Sequence, residues 1–151
     1  MYDSIQAIQN TVICGDSWTI SKILPGTIAQ TIITSPPYFG HRQYATPSTE
    51  QHVLEFGRET DYRDYVMKLV QLFAELKRVL KDDGTVWLNL GDTYRDNQLL
   101  GIPWRVALAL QDDGWFLRSE IIWHKPNAMP SSVKNRPTTA HETLFLFAKS
   151  P

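Results

Sequence analysis

Apolar residues recur at three- and four-residue steps over residues 61–81. Tyr62, Tyr65, Val66, Leu69, Val70, Phe73, Leu76 and Leu80 share one face, the clearest helical pattern in the chain. Asp61 and Asp64 load its first turn and Lys77, Arg78 and Lys81 its last, as the helix dipole favours; Gly84 is expected to close it. Short β-prone runs lie at residues 11–14 (TVIC), stopped by Gly15-Asp16, and at 29–34 (AQTIIT), stopped by two prolines. Residues 85–90 (TVWLNL), 115–123 and 142–148 are three more strand candidates. Between the first two strands, Ser17 is placed to cap a short helix carrying Trp18, Ile20, Ile23 and Leu24, ended by Pro25-Gly26. Pro103 suits the first position of a helix over 104–111, which Asp113-Gly114 ends. The order β-α-β-α-β-α-β-β predicts an α/β layer fold with a mainly parallel sheet. No helix separates the last two strands, so the final one is expected to be antiparallel. The tryptophans and the TVWLNL and TLFLFA segments read most simply as core.

Two connections, 39–60 and 124–141, exceed the roughly 12–15 residues beyond which a structureless loop is usually functional or disordered. Both would leave carboxyl ends of strands, the edge where open α/β sheets bind ligands. The second holds Lys125, Lys134 and Arg136, with no acidic residue between His124 and His141. Such a cluster is either a solvated loop or a set of phosphate contacts, and its place beside the proline-stopped strand favours the second.

Composition narrows the classes. With 151 residues, 42% of them apolar, the chain is expected to form one domain over residues 1–151 with its own core. A formal charge of -1 excludes a globally basic nucleic-acid binder, so any such surface is local. The one cysteine, Cys14, excludes an intramolecular disulfide and a multi-cysteine zinc site; it reads as a packing residue inside a strand. The histidines show no metal-ligand spacing with acids, so no metal is predicted. No apolar run approaches the ~20 residues needed to cross a bilayer, and MYDSIQAIQN lacks the features of a signal peptide. A cytoplasmic protein with no membrane association is the expectation.

The candidate chemistry lies in TSPPYF, residues 34–39. Each proline fixes its own φ, and Pro37 pushes Pro36 into the extended region, so the turn is stiff and presents carbonyl oxygens in set directions. Ser35 adds a hydroxyl and Tyr38 a flat ring. Such a unit can accept hydrogen bonds from an NH2 group while the ring stacks on a planar heterocycle. An exocyclic nucleobase amine is a poor nucleophile because its lone pair delocalises into the ring. Two acceptors that hold its hydrogens out of plane localise that lone pair, which can then attack an electrophilic methyl group in line. The plainer alternative is a strand-terminating Pro-Pro with a tyrosine beside it.

TSPPY after an apolar strand resembles the catalytic motif of the DNA amino-methyltransferases, in the order of their permuted β-type subgroup. The similarity runs through VICGDSWTISKILPGTIAQTIITSPPY, LKRVLKDDGTVWLNLGDTY and GIPWRVALALQDDGWFLRSEIIWHKPNAMPSSVKNRPTTAHETLFLFAKSP. It implies a Rossmann-like methyltransferase sheet and transfer of a methyl group from S-adenosylmethionine to an amino nitrogen of DNA. By the same resemblance Ser35, Pro36, Pro37 and Tyr38 form the catalytic motif, and Asp16 takes the acidic position near the cofactor's adenine. Serine at the first motif position leans toward cytosine N4 over adenine N6. Carbon-5 methylation, which needs a reactive thiol, is disfavoured by the setting of Cys14. His41 and Arg42 are candidates for contact with the flipped base or a phosphate, or are plain surface. Lys125 and Asn127, which follow Trp123 and His124, resemble a block near the target base. Asp92 reads as a turn residue, and the stretch between it and Gly101 is short for a target-recognition insertion.

Relatives of this order carry, after the matching region, a glycine-rich loop for S-adenosylmethionine. No two glycines of this chain are separated by a single residue, so that signature is absent. The resemblance implies that the segment also supplies two central strands between the first strand here and the one before TSPPY. An open sheet edge, or association through it, is therefore expected, either as a homodimer or with a complementary cofactor-binding subunit. Alternatives are an inactive remnant, a nucleic-acid-binding module, or a methyltransferase of RNA or of another amine.

Overall fold

The computed structural model describes residues 6, 8–41 and 55–151. Its elements run α1 (Ser17–Ile23), β1 (Ala29–Thr34), α2 (Tyr62–Val79), β2 (Leu80–Leu90), a short pair β3 (Tyr94–Arg95) and β4 (Gln98–Leu99), α3 (Ile102–Asp112), β5 (Phe116–His124) and β6 (His141–Ala148). The main sheet has the order β1-β2-β6-β5. β1 and β2 are parallel, and β6 is antiparallel to both of its neighbours, so β1, β2 and β5 point one way and β6 alone the other. The expected mainly parallel sheet with a reversed last strand is present, and β6 fills an inner position between β2 and β5.

One face of this sheet carries the core. Val86, Leu88 and Leu90 of β2 and Phe145 and Phe147 of β6 are fully buried, against Tyr65, Leu69 and Phe73 of α2 and Ile102, Val106 and Leu110 of α3. The predicted period of α2 is thus the stripe that packs, and Asp61 is its N-cap, accepting from the Arg63 amide at 2.8 Å. The other face reads in cross-strand rows, because directly paired residues project to the same side. Ile33, Trp87 and Leu146 form one row, and Asn89, Leu144 and Ile121 the next, followed by Glu142 and Trp123. None of these side chains enters the buried cluster, and Ile33 is 78% exposed. β1 also leaves an edge: among the described residues it pairs with β2 alone.

Several expectations are corrected. Residues 11–14 form no strand; Val12 is 99% exposed and Cys14 is exposed rather than packed. A strand needs a partner for its backbone, and none of the described residues pairs with this run. Asp16, not Ser17, caps α1, accepting from the Thr19 amide at 2.9 Å. α2 ends at Val79 and passes straight into β2, so Gly84 lies within a strand instead of closing a helix. Pro103 sits within the first turn of α3, which begins one residue earlier at Ile102. Among the tryptophans only Trp115 is buried; Trp104 is exposed on α3, and Trp123 on β5, the outer strand with a neighbour on one side only. Among the described residues no helix is long and apolar enough to cross a membrane.

Candidate active site

The TSPPYF segment leaves the carboxyl end of β1 and is braced from behind. The buried Tyr65 hydroxyl, on α2, donates to the Pro37 carbonyl at 3.0 Å. Burial, with the Glu59 charge nearby, pushes the Tyr65 phenol far above its usual range, so it remains a donor. The Gly40 amide donates to the Gly57 carbonyl at 2.9 Å. Glu59 ties this supporting segment down: it accepts from the Gly57 amide at 2.8 Å and pairs with Lys68 of α2 at 3.0 Å. Phe39 inserts its ring into the core against Tyr65. A stiff turn is thereby anchored on both sides, with Pro36 buried and Ser35 exposed.

In front of it opens a cavity of about 840 Å³, lined by Ser35, Pro36, Pro37, Tyr38, His41, Gly91, Asp92, Tyr94, Lys125, Arg136 and Glu142 among others. It lies at the carboxyl ends of β1, β2 and β5, where both long connections depart, as the chain order predicts. One edge of the Tyr38 ring rests on Gly91, where an added Cβ would lie 2.7 Å from ring carbons. Its hydroxyl enters a polar cluster: it donates to Glu142 Oε2 at 2.9 Å, is 3.0 Å from Ser35 Oγ, and accepts from Asn89 Nδ2 at 2.8 Å. Asn89 Nδ2 also donates to Glu142 Oε2 at 2.7 Å, and Lys125 Nζ donates to Glu142 Oε1. Burial alone would raise the Glu142 pKa, but the hydrogen bonds from Lys125, Asn89 and Tyr38 outweigh it and hold the carboxyl below its ordinary value.

Of the other candidates, His41 lines the cavity, edge-on to Tyr38 at 5.7 Å, with Nε2 3.1 Å from the Asp92 carbonyl oxygen. Arg136 also lines it, stacked over Tyr94 at 3.5 Å. Lys125 is paired with Glu142. Asn127 and Lys134 are exposed and outside the cavity lining, and Arg42 lies outside the described residues. Asp92 serves its turn, accepting from the amides of Thr93 and, at the start of α3, Ile102. Asp16 is spent on Thr19, and its neighbour Ser17 lines a second hollow of about 380 Å³ that shares Ser35, Pro36 and Pro37 with the first cavity. Among the described residues that hollow is lined by Ser17, Ile32, Ile33, Phe56, Leu72 and Phe73 with others, none of them charged. Sequence reasoning missed Glu142 and Asn89. Their signal is slight: Asn89 interrupts the apolar run of TVWLNL, and Glu142 stands between His141 and Thr143 at the polar start of HETLFLFA.

Comparison with known proteins places these observations. The profile of the DNA methylase family, of N6/N4 type, matches residues 29–151. The chain is similar to the Type II methyltransferase M.XycI of Xanthomonas campestris pv. cyanopsidis: 42% identity over 170 residues, covering 93% of this chain and 55% of the relative. The structure is similar to that of the PvuII DNA methyltransferase (cytosine-N4-specific), with a TM-score of 0.67 at 25% identity, over 89% of this chain and 47% of that one. It also resembles a Thermus thermophilus protein solved with S-adenosyl-L-methionine, with a TM-score of 0.66 at 20% identity, over 91% and 54% of the two chains. The chain spans about half the length of the curated relatives it matches.

Proposed function

We propose, because the chain belongs to the DNA methylase family, that residues 34–39 form the amine-binding side of a DNA amino-methyltransferase site. The favoured target is the N4 amino group of cytosine, and the substrate is a base rotated out of the duplex. The observation that carries this is the placement of Ser35 and Tyr38 on the wall of an open cavity, anchored from behind by Tyr65 and the Gly57 segment. Among the described residues nothing donates to the Pro36 carbonyl. Together with Ser35 Oγ it supplies the two acceptors that an NH2 group requires. The Tyr38 ring offers a stacking surface, and Arg136 and His41 stand on the same rim for phosphate or base contacts.

S-adenosyl-L-methionine, when bound, supplies the electrophilic methyl group. The hollow behind the motif fits one apolar wall of such a ligand, and Asp16 stands beside it. Among the described residues it offers no charged partner for an amino-acid moiety, so those contacts are assigned to residues outside them, in the same or a separate polypeptide. The open β1 edge and the row of exposed Ile33 with half-buried Trp87 and Leu146 are where that segment docks. The serine at position 35 and the likeness to the cytosine-N4-specific enzyme support N4 over adenine N6.

The test is reconstitution. The chain is combined with a polypeptide carrying the glycine-rich half of a relative, and transfer of labelled methyl groups to DNA is followed. Transfer is expected from the parent. Tyr38→Ala should reduce it at least ten- to hundredfold, since base–aromatic stacking contributes about 1–3 kcal/mol. Equal transfer by parent and Tyr38→Ala would overturn the assignment. Salt-sensitive DNA binding without any transfer would point instead to a binding module.

A further inference from the structure

Donor and acceptor counting in the polar cluster assigns a direction to every hydrogen bond. A carboxylate only accepts. Glu142 Oε2 therefore takes a hydrogen from each of its close neighbours, the Tyr38 hydroxyl at 2.9 Å and the Asn89 amide at 2.7 Å. The phenol has one hydrogen and spends it on Glu142, so toward Ser35, 3.0 Å away, it can only accept. Ser35 must then donate to Tyr38, and the phenol oxygen accepts from Asn89 as well. The reverse setting would leave phenol and carboxylate oxygens lone pair to lone pair at 2.9 Å. The orientation of Asn89 is fixed by the same charge. Its Nδ2 serves two oxygens while its buried Oδ1 has no partner among the described residues, a cost that a flipped amide would exchange for acceptor–acceptor repulsion.

We propose that Glu142 is a positioning residue that makes the Ser35 hydroxyl an obligate acceptor, acting through Tyr38. Resting on the reading that Ser35 receives the target amine, this deepens it. A serine hydroxyl facing water can donate as readily as accept, and a donating Ser35 would meet the amine hydrogen-to-hydrogen. With its own hydrogen turned inward, Ser35 offers only lone pairs to the cavity. The site then suits an amino group and repels a keto oxygen at the same position. Lys125, on the far side of the carboxylate, keeps Glu142 charged and so maintains the direction of the chain. The other titratable groups on the cavity wall are His41, Asp92, Tyr94, Arg136 and His141.

Carbon-13 NMR of chain labelled at tyrosine Cζ tests the polarity without catalysis, with the Tyr38 signal identified by its loss in Tyr38→Phe. Because the Glu142 carboxyl is held below its ordinary value, the contact is present at neutral pH and is lost as pH falls through the lowered pKa. The Tyr38 signal should show that step in the parent and lack it in Glu142→Gln and Glu142→Ala, with the buried Tyr65 signal reporting that the variants remain folded. A step that persists in both variants, or is missing from the parent, overturns the proposal. In the reconstituted enzyme Glu142→Gln should lower kcat about ten- to hundredfold, the worth of a charge-assisted hydrogen bond, with KM for S-adenosyl-L-methionine unchanged. Combining it with Tyr38→Phe should cost little more than either alone. Strictly multiplicative losses would also overturn it. An active site that never transfers methyl groups would instead sink the proposed function, while the NMR step decides the hydrogen-bond direction by itself.

Discussion

Gly57 shows how much of the site depends on a single residue outside the motif. Its φ is +84°, a left-handed conformation that side chains resist, and a Cβ there would lie 2.6 Å from the Tyr38 carbonyl oxygen. No rotamer change relieves a contact with backbone. Gly57→Ala should therefore destabilise the fold by on the order of 1–3 kcal/mol, read as a lower urea midpoint, and should displace the proline turn. A midpoint equal to the parent's would mean that the turn is not held from this side. Nothing in the local sequence, EFGRET, signals that this glycine touches the motif. TSPPYF, by contrast, announces itself because its stiffness is a property of its own prolines. Glu142 and Asn89 lie 104 and 51 positions from Tyr38, so their part in the site exists only once the sheet brings them together.

Elements whose stability comes from their own period were legible. The apolar stripe read over residues 61–81 is the buried face of α2, and the strand read over 29–34 is β1 to the residue. Leu69 lies fully buried on that stripe and Met67, two positions earlier, is 56% exposed. Leu69→Ala should cost about 2–5 kcal/mol by leaving a cavity, whereas Met67→Ala should stay within about 0.5 kcal/mol; comparable urea midpoints for the two would refute the packing. Elements that depend on a partner are not legible in this way. Residues 11–14 have the composition of a strand but no ladder to join among the described residues. Two-residue strands such as β3 and β4 carry no period that a sequence can show. Asp96 and Asn97, with positive φ, turn the chain between them.

Across the whole molecule, the two faces of the sheet differ. One is sealed by α2 and α3, while the other carries Ile33, Trp87, Leu144, Leu146, Ile121 and Trp123 outside the core. An α/β layer fold normally covers both. The uncovered face adjoins the open edge of β1 and the hollow behind the motif, so one docking segment would close all three. Ile33→Glu gives the check. At a residue 78% exposed, it should change the stability of the chain by no more than about 0.5 kcal/mol, yet weaken assembly with the glycine-loop half, measured by sedimentation. Unchanged assembly would place the partner elsewhere, and a sedimenting species of two identical chains would show that a second copy takes the face.

By itself the sequence determined whatever is local: the helix that packs, the strand before the prolines, the rigid turn, and the order of elements that sets the sheet's class. The tertiary structure alone decided which polar residues converge on Tyr38, which glycines the turn leans on, which tryptophans meet solvent, and which sheet face stays bare. The physical reason is range. Backbone stiffness and amphipathic period act between near neighbours in the chain. Hydrogen-bond direction and burial depend on groups that only the completed sheet places in contact.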